Sequence, residues 1–281
     1  MKTLIVVILY NKLFCQSKTL ISLCHISLPG SSLLVVNNGP ELLDEDDEFL
    51  DKLTGYDCVD FINSNSNRPL SHIYNEVLEK QSGFERYILL DDDTSISKEY
   101  FSHPEIGLKD LYLVVPRIID IKTGLNSYPQ INRVVYTGVD GFLPLDKDVL
   151  SIGSGLIIYR KLIDLFSRKK IELFDSNFAL YGVDMSIFRK INRLNKISQC
   201  VPVYVHHFLV HEMSSTSGQV SEWRKLERLY DEVLSCLYYS KTPFHMMYNM
   251  SRLFLKEFVR LRFSNLVNIT KAIINGRHPR C

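Results

Sequence analysis

The stretch Tyr87-Ile88-Leu89-Leu90-Asp91-Asp92-Asp93-Thr94 decides how the rest of this 281-residue chain is interpreted. Its apolar residues predict a short buried strand, and three carboxylates follow where that strand must end. Burying adjacent carboxylates without a cation costs several kcal/mol for each charge. On an extended backbone Asp91 and Asp93 point to one side, so they are the natural pair to hold one Mg²⁺ or Mn²⁺ ion. The alternative is an acidic turn in which Asp93 or Thr94 caps a helix.

Composition excludes several classes of protein. An apolar content of 46% and a charged content of 23% are ordinary for a globular protein, and a net charge of +1 gives no sign of a nucleic-acid binder. The six cysteines form no C-x-x-C pair, which favours a reducing cytoplasm over a disulfide framework or a zinc site. The apolar run 4–9 is too short for a signal peptide, and no stretch reaches the roughly 18 apolar residues of a membrane span.

Strand and helix patterns alternate through the first half, which predicts an α/β fold with a mostly parallel sheet and helices on both faces. We expect strands at 3–10, 32–36, 57–63 and 86–90, and helices at 17–27, 41–53 and 69–80. Further strands are expected at 111–119, 156–159 and 200–209, further helices at 160–169 and 184–194, and only helices from residue 221 onward. Because ligands bind at the carboxyl ends of such strands, the turn 37–39 and the Asp triplet should face one crevice.

Three weaker signals lie in the second half. The turn Gly153-Ser154-Gly155 would let the backbone approach a ligand closely, or it is an ordinary tight turn. Asp184 falls where a helix should begin, so it is either a general base or an N-cap, and Arg189 further along is either a phosphate ligand or a surface residue.

The closely spaced histidines His206, His207 and His211 offer an additional metal ligand beside the aspartates. A zinc site made of all three is an alternative, although the spacing matches no zinc pattern. A third interpretation is that one or two of these imidazoles are buried and hydrogen-bonded within the protein. The sequence alone leaves these alternatives open.

The last segment, 239–281, carries eight basic residues against the single acid Glu257. Aromatic and aliphatic residues interleave with the basic ones, a pattern that suits contact with an anionic membrane surface. A C-terminal helical pair packed on the main domain is the alternative, and RNA binding is a weaker third possibility. We therefore predict a domain at 1–218 and a helical, basic extension at 219–281.

Taken in order, these segments resemble the family 2 glycosyltransferases with the GT-A fold, and most closely the bacterial rhamnosyltransferase-like members that build surface polysaccharides. The resemblance covers roughly residues 3–215. The matching segments are Val6-Val7-Ile8-Leu9-Tyr10-Asn11, Val36-Asn37-Asn38-Gly39, Asn65-Ser66-Asn67-Arg68-Pro69-Leu70, residues 88–93, Gly153-Ser154-Gly155, Phe174-Asp175, Tyr181-Gly182-Val183-Asp184 with Arg189, and the His206–His211 region.

The resemblance implies an inverting transfer of a sugar from a nucleotide-sugar to a hydroxyl group, with Asp184 as the general base. Metal ligands would be Asp91 and Asp93 with His207 or His211, holding Mg²⁺ or Mn²⁺ against the donor diphosphate. The donor would contact Tyr10, Asn11, Asn37, Asn67, Asp91, Asp92, Gly155 and Arg189.

The expected partners are a UDP- or dTDP-sugar donor and a glycan or polyprenyl-linked oligosaccharide acceptor, with no nucleic acid. The setting would be O-antigen or capsule synthesis in the cytoplasm, with peripheral contact at the inner face of the membrane. A nucleotidyltransferase is the alternative enzyme, but Asn11-Lys12-Leu13-Phe14 stands where its Gly-rich loop is expected. A non-catalytic carbohydrate- or lipid-binding scaffold is the alternative outside enzymes.

Overall fold

The centre of the fold is a ten-stranded sheet built around four parallel strands. The computed structural model of the chain describes residues 1–45, 47–102, 111–211 and 221–281. Strands β1 (Thr3–Leu9), β2 (Ser31–Asn37), β3 (Cys58–Asn63) and β4 (Arg86–Asp91) lie side by side in the order β3-β2-β1-β4. Every residue of β1 is buried and nearly all are aliphatic, which is the pattern of a strand covered on both faces.

Six of the remaining strands extend this sheet beyond β4, and three others form a second sheet. In the described ranges they are β5 (Thr94–Ser95), β6 (Leu113–Asp120), β7 (Asn126–Tyr128), β8 (Gln130–Ile131), β9 (Val134–Val135), β10 (Gly141–Phe142), β11 (Val149–Leu150), β12 (Leu156–Tyr159) and β13 (Val203–His211). The order continues from β4 as β12-β6-β13-β10, with β12 antiparallel to both of its neighbours and β13 parallel to β6. Strands β8, β9 and β11 form a small separate sheet.

Seven α-helices lie within the described ranges. They are α1 (Lys18–Cys24), α2 (Leu70–Lys80), α3 (Arg160–Arg168), α4 (Val183–Lys196), α5 (Glu222–Tyr239), α6 (Pro243–Val259) and α7 (Phe263–Asn275). Side-chain caps explain several of their starts: the hydroxyl of Ser17 accepts the backbone N–H of Leu20 before α1, and Thr242 caps α6 ahead of its first-turn proline. None of the helices in the described ranges combines the length and the apolar character needed to cross a bilayer.

The helix predicted at 41–53 does not form where the chain is described, apart from a short 3₁₀ turn at Leu50–Lys52. Asparagine side chains take the backbone groups that a helix would use. The amide of Asn63 donates to the carbonyl of Leu43 at 2.7 Å and accepts its N–H at 3.2 Å, while Asn37 donates to the carbonyl of Glu41 at 2.7 Å. These bonds compete directly with the helical hydrogen-bond ladder, and the sequence pattern contains no sign of them.

The chain divides into two compact units, each with its own apolar core. The first comprises Met1–Asn67, Val77–Ile171 and Phe188–Thr216. Its core is formed by the apolar side chains of the central strands, α1 and the 3₁₀ turn at Lys98–Phe101. The second comprises Arg68–Glu76, Glu172–Ile187 and Ser217–Cys281. Residues of α5, α6 and α7, among them Val233, Leu253 and Ile269, form its core.

Candidate functional site

Two carboxylates and one imidazole meet at the carboxyl end of β4. One side-chain ligand atom from each of Asp91, Asp93 and His211 lies within 4.8 Å of the other two. The last residues of β13 pair with β5, which sets His211 opposite Thr94, next to the aspartates. The Nδ1 atom of His211 is 3.2 Å from Oδ1 of Asp93 and 3.0 Å from the Thr94 hydroxyl oxygen. The structure therefore assembles the predicted aspartate pair with one of the three candidate histidines.

The chemistry of this group fits a divalent cation. Oδ1 of Asp93 is buried, and no hydrogen bond from the described part of the chain satisfies it, since the nearby His211 Nδ1 is hydrogen-bonded to the Thr94 hydroxyl instead. A buried carboxylate oxygen left without a donor is costly, and a cation would remove that cost. Two carboxylates with one imidazole are a donor set that suits Mn²⁺ well and that Mg²⁺ also tolerates. The acidic-turn alternative does not account for a histidine brought from a distant strand.

The loop that carries the aspartates is fixed by two buried hydroxyl groups. The Ser154 hydroxyl accepts the backbone N–H of Asp91 at 3.2 Å and is hydrogen-bonded to the Thr94 hydroxyl at 2.7 Å. The Thr19 hydroxyl, at the start of α1, contacts the carbonyls of Asp91 and Thr94 and accepts the Thr94 N–H. Neither residue was singled out from the sequence for this role. The sequence singled out the turn Gly153-Ser154-Gly155, but for its glycines and not for the serine hydroxyl.

Asp92 points to the opposite side, as the alternation of an extended backbone predicts. Its carboxylate forms an ion pair with Lys12 and accepts the backbone N–H of Tyr10 at 3.1 Å. Burial raises the pKa of the Asp92 carboxyl above its ordinary value, and the Lys12 ammonium and the Tyr10 N–H offset this only in part. Asp92 therefore ties the end of β1 to the loop after β4 and lies outside the group formed by Asp91, Asp93 and His211.

A small cleft of about 160 Å³ opens beside the ends of β1 and β2. Its lining includes Asn11, Lys12, Asn37 and Glu41. The amide of Asn37 is committed to the turn, because it donates to Oδ1 of Asn63 and accepts the N–H of Gly39 at 3.0 Å. The structure thus brings Asn11 and Asn37 to one cleft, as predicted for neighbouring parallel strands.

Tyr10 and Asn67, two more of the residues predicted to contact the donor, contact each other. The side-chain nitrogen of Asn67 lies 3.5 Å from the Tyr10 hydroxyl. Asn67 has a backbone φ of 45°, in the left-handed region that asparagine tolerates better than most residues.

Gly155 lies immediately before β12 and is closely surrounded by other residues. Its N–H donates to the carbonyl of Leu89 at 2.7 Å and its carbonyl accepts the Tyr100 hydroxyl, so both backbone groups are used within the protein. Its φ is +83°, and an added Cβ would lie 2.5 Å from Leu209 Cδ1 and 2.8 Å from Pro116 Cγ. Glycine is required here by backbone conformation and by space together.

We expect Gly155→Ala to lower the free energy of unfolding by about 2–4 kcal/mol, because left-handed strain adds to overpacking against Leu209 and Pro116. Gly30→Ala is the matched control, since Gly30 has a φ of +80° but no heavy atom within 4 Å of its Cβ position. Urea denaturation of both variants separates the two effects. Equal losses of stability in the two variants would contradict the close contact at Gly155.

The other two histidines occupy a bulge in β13. His206 Nδ1 lies 3.2 Å from Oδ2 of Asp140, and His207 Nε2 lies 3.3 Å from the Ser97 hydroxyl. Burial raises the pKa of Asp140, but the His207 N–H and the Arg117 guanidinium outweigh burial and leave this pKa below its usual range. Burial lowers the pKa of His206, and Asp140 opposes that shift. Within the described ranges, neither His206 nor His207 joins the group formed by the two aspartates and His211.

Asp184 lies in the first turn of α4, as predicted, and Arg189 lies further along the same helix. Oδ1 of Asp184 accepts the backbone N–H of Met185 at 2.8 Å. The helix begins at Val183, so Asp184 is inside the first turn, where a carboxylate is favoured by the helix dipole. Asp184 belongs to the second compact unit and Arg189 to the first.

Comparison with known proteins identifies the fold. No protein-family model and no curated protein matches the sequence. Among solved structures, S. aureus TarS 1-349 in complex with UDP-GlcNAc is 19% identical, with a TM-score of 0.51 over 92% of this chain and 73% of that one. GalNAc-T7 with UDP, GalNAc and Mn²⁺ is 14% identical, with a TM-score of 0.56 over 85% of this chain and 48% of that one.

A third similar structure is the mannosyltransferase PcManGT from Pyrobaculum calidifontis in complex with GDP-Man and Mn²⁺. It is 12% identical, with a TM-score of 0.50 over 99% of this chain and 77% of that one. The present chain spans 44% of a longer TarS chain. These neighbours are GT-A glycosyltransferases, and the mixed sheet of this chain has the GT-A fold that the sequence predicted.

Proposed function

We propose that this protein is a metal-dependent glycosyltransferase that uses a nucleoside-diphosphate sugar as donor. The observation that carries the proposal is the group formed by Asp91, Asp93 and His211 at the carboxyl edge of a GT-A sheet. In such sheets ligands bind at the carboxyl ends of the strands, and hard divalent ions commonly share their coordination with substrate phosphates. The similar structure of GalNAc-T7 contains UDP, GalNAc and Mn²⁺, and that of PcManGT contains GDP-Man and Mn²⁺.

The metal ligands of our proposal are Asp91, Asp93 and His211, with Mg²⁺ or Mn²⁺ as the ion. When bound, the ion neutralises the charge that develops on the leaving diphosphate. Ser154 and Thr19 hold the backbone of Asp91 and Thr94, on either side of the loop that carries Asp93. Such preorganisation matters because outer contacts of this kind orient the ligands that bind a metal.

The donor base and ribose are proposed to occupy the cleft beside β1 and β2. Asn11, Lys12 and Asn37 line this cleft, and Lys12 forms an ion pair with Asp92. Tyr10 precedes Asn11 in the sequence, and the side chain of Asn67 contacts the Tyr10 hydroxyl. Arg189 is proposed as a phosphate ligand. Gly155 was predicted to contact the donor, but both of its backbone groups are bonded within the protein, so we propose instead that it keeps β12 close to β4. A UDP- or dTDP-sugar is the donor we favour, and TarS 1-349 was crystallised with UDP-GlcNAc and with UDP.

For the chemical step we propose an inverting transfer with Asp184 as the general base. A carboxylate in the first turn of a helix stays ionised, and it can accept the proton of an acceptor hydroxyl as that oxygen attacks the anomeric carbon. The bond to the diphosphate breaks on the opposite side, so the configuration at the anomeric carbon inverts. The reaction needs no covalent intermediate with the protein.

The resemblance to family 2 members close to the rhamnosyltransferases supports a role in surface-polysaccharide synthesis. The acceptor would then be a glycan or a polyprenyl-linked oligosaccharide. All six cysteines are free thiols, which is consistent with a protein that works in the reducing cytoplasm. Release of nucleoside diphosphate from the donor distinguishes this function from a nucleotidyltransferase, which would release pyrophosphate.

The test is a thermal-shift panel of nucleoside diphosphates and nucleotide-sugars, run with Mn²⁺ and with EDTA. A donor at a hundred times its dissociation constant stabilises the folded state by about 2.7 kcal/mol. We expect this to raise the melting temperature by roughly 5–10 °C in Mn²⁺ and by much less in EDTA. Asp60→Asn removes a carboxylate from β3 that is outside the proposed ligand group, so this variant should show the same Mn²⁺-dependent shift as the wild type. It is the matched control for Asp93→Asn. A flat panel in Mn²⁺ would contradict the proposal.

A further inference from the structure

The last two helices expose an unusually apolar surface, which we call the α6–α7 face. Phe244, near the start of α6, is 84% exposed, and Ile274, near the end of α7, is 76% exposed. The exposed apolar residues of the face are Phe244, Met247, Tyr248, Leu255, Phe258, Val259, Leu261, Phe263, Val267 and Ile274. Isolated surface hydrophobics are normal, but a concentration of this kind marks a surface that contacts something else.

The core of the second unit does not need these residues. The opposite sides of the same helices pack inward, where Leu253, Ile269 and Ala272 join Val233 of α5 in the buried cluster. The outward residues instead follow helical spacing along α6 and α7, so the exposed apolar positions form stripes. Helices α6 and α7 each have two apolar sides, and only the inner side packs in the core of the second unit. The outer apolar side is therefore available for an interaction.

Basic side chains outnumber acidic ones on this surface. The only acidic side chain between residues 239 and 281 is Glu257, which is 3% exposed and turned inward. Its carboxylate accepts the side-chain N–H of Asn265 at 2.5 Å and lies 3.8 Å from Arg262. The exposed basic residues of the segment are Lys241, Arg252, Lys256, Arg260, Arg262, Lys271 and Arg277. The outer surface of the two helices is therefore apolar and mainly cationic, with their own carboxylate turned inward. A neighbouring carboxylate, that of Glu232 on α5, lies 3.6 Å from the ammonium of Lys256.

We propose that the α6–α7 face docks on the surface of an anionic lipid bilayer without crossing it. Aromatic and aliphatic side chains enter the boundary between headgroups and acyl chains, while lysine and arginine stems extend toward lipid phosphates. A protein partner would need a complementary acidic surface confined to one patch. A bilayer supplies continuous negative charge above an apolar layer, which matches both properties of the face. This inference does not rest on the proposed enzymatic activity.

The experiment is co-sedimentation of the full chain with vesicles of phosphatidylcholine alone or with about one-third phosphatidylglycerol. We expect binding to the anionic vesicles, little binding to the neutral ones, and release in high salt. The double variant Phe258→Ser, Leu261→Ser and the charge variant Arg260→Gln, Lys271→Gln should each bind at least about tenfold more weakly. The matched control is Leu125→Ser, Val139→Ser, which removes side chains that are 68% and 81% exposed in the first unit.

Melting temperatures within a few degrees of the wild type establish that each variant is folded. An unchanged donor-induced thermal shift in the same variants shows that weaker vesicle binding does not reflect a change at the proposed donor site. Equal binding to neutral and anionic vesicles would overturn the charge argument, and unchanged binding of the Phe258, Leu261 variant would overturn the apolar one. A wild-type dimer in light scattering that becomes a monomer in that variant would show that the face joins two copies of the chain instead.

Discussion

Asp93→Asn is expected to abolish tight Mn²⁺ binding and to lower the turnover of sugar transfer by about a thousandfold. The substitution removes the charge of the carboxylate whose buried Oδ1 lacks a hydrogen bond among the described residues. A bound metal ion supplies several kcal/mol of charge stabilisation to the leaving group, and about 4 kcal/mol corresponds to a thousandfold change in rate. Calorimetric titration with Mn²⁺ and the rate of nucleoside diphosphate release measure the two effects separately.

Asp92→Asn is the informative comparison, because it removes the adjacent carboxylate that faces Lys12 instead of His211. We expect this variant to retain Mn²⁺ binding in the titration. Loss of Mn²⁺ binding in Asp92→Asn with retention in Asp93→Asn would contradict our assignment of the ligands. A thermal melt of each apo protein checks that an altered titration does not reflect unfolding.

Asp184→Asn is expected to lower the rate of transfer by about 10³-fold while leaving donor binding and the fold intact. General-base catalysis contributes roughly 10²–10⁴-fold, and an amide cannot accept the proton. The asparagine oxygen can still accept the N–H of Met185, so the start of α4 should be preserved. Transfer is measured with donor and acceptor together, and donor affinity by the Mn²⁺-dependent thermal shift.

The competing role of Asp184 is purely structural, since a carboxylate in the first turn stabilises a helix by about 0.3–1 kcal/mol. Glu222→Gln is the matched control, because Glu222 lies in the first turn of α5. If Asp184→Asn and Glu222→Gln both lose a little stability and both keep full transfer, Asp184 is not the base. A large fall in transfer confined to Asp184→Asn, with the donor-induced shift retained, supports the catalytic role.

The alternating pattern of the first half was enough to predict the central strands. Strands β1 to β4 lie within one residue of their predicted bounds. Strands β1, β2 and β4 are short, mainly aliphatic runs followed by polar residues, and β3 is a short β-rich segment that ends at Asn63. The same periodic reasoning was wrong at 41–53. There, Asn37 and Asn63 bond to the backbone from other parts of the chain, and a local pattern carries no record of such partners.

At the candidate site, Asp91 and Asp93 and their position at a strand end could be predicted from the sequence, because residue type and the period-two alternation of a strand are local properties. Only the tertiary structure selected His211 over His206 and His207. That choice follows from the bulge in β13 and its pairing with β5, which set the register by which His211 meets Thr94. The supporting hydroxyls of Ser154 and Thr19 were likewise decided by packing. Contacts between residues 60 to 117 positions apart depend on how the sheet closes, and no local pattern encodes that distance.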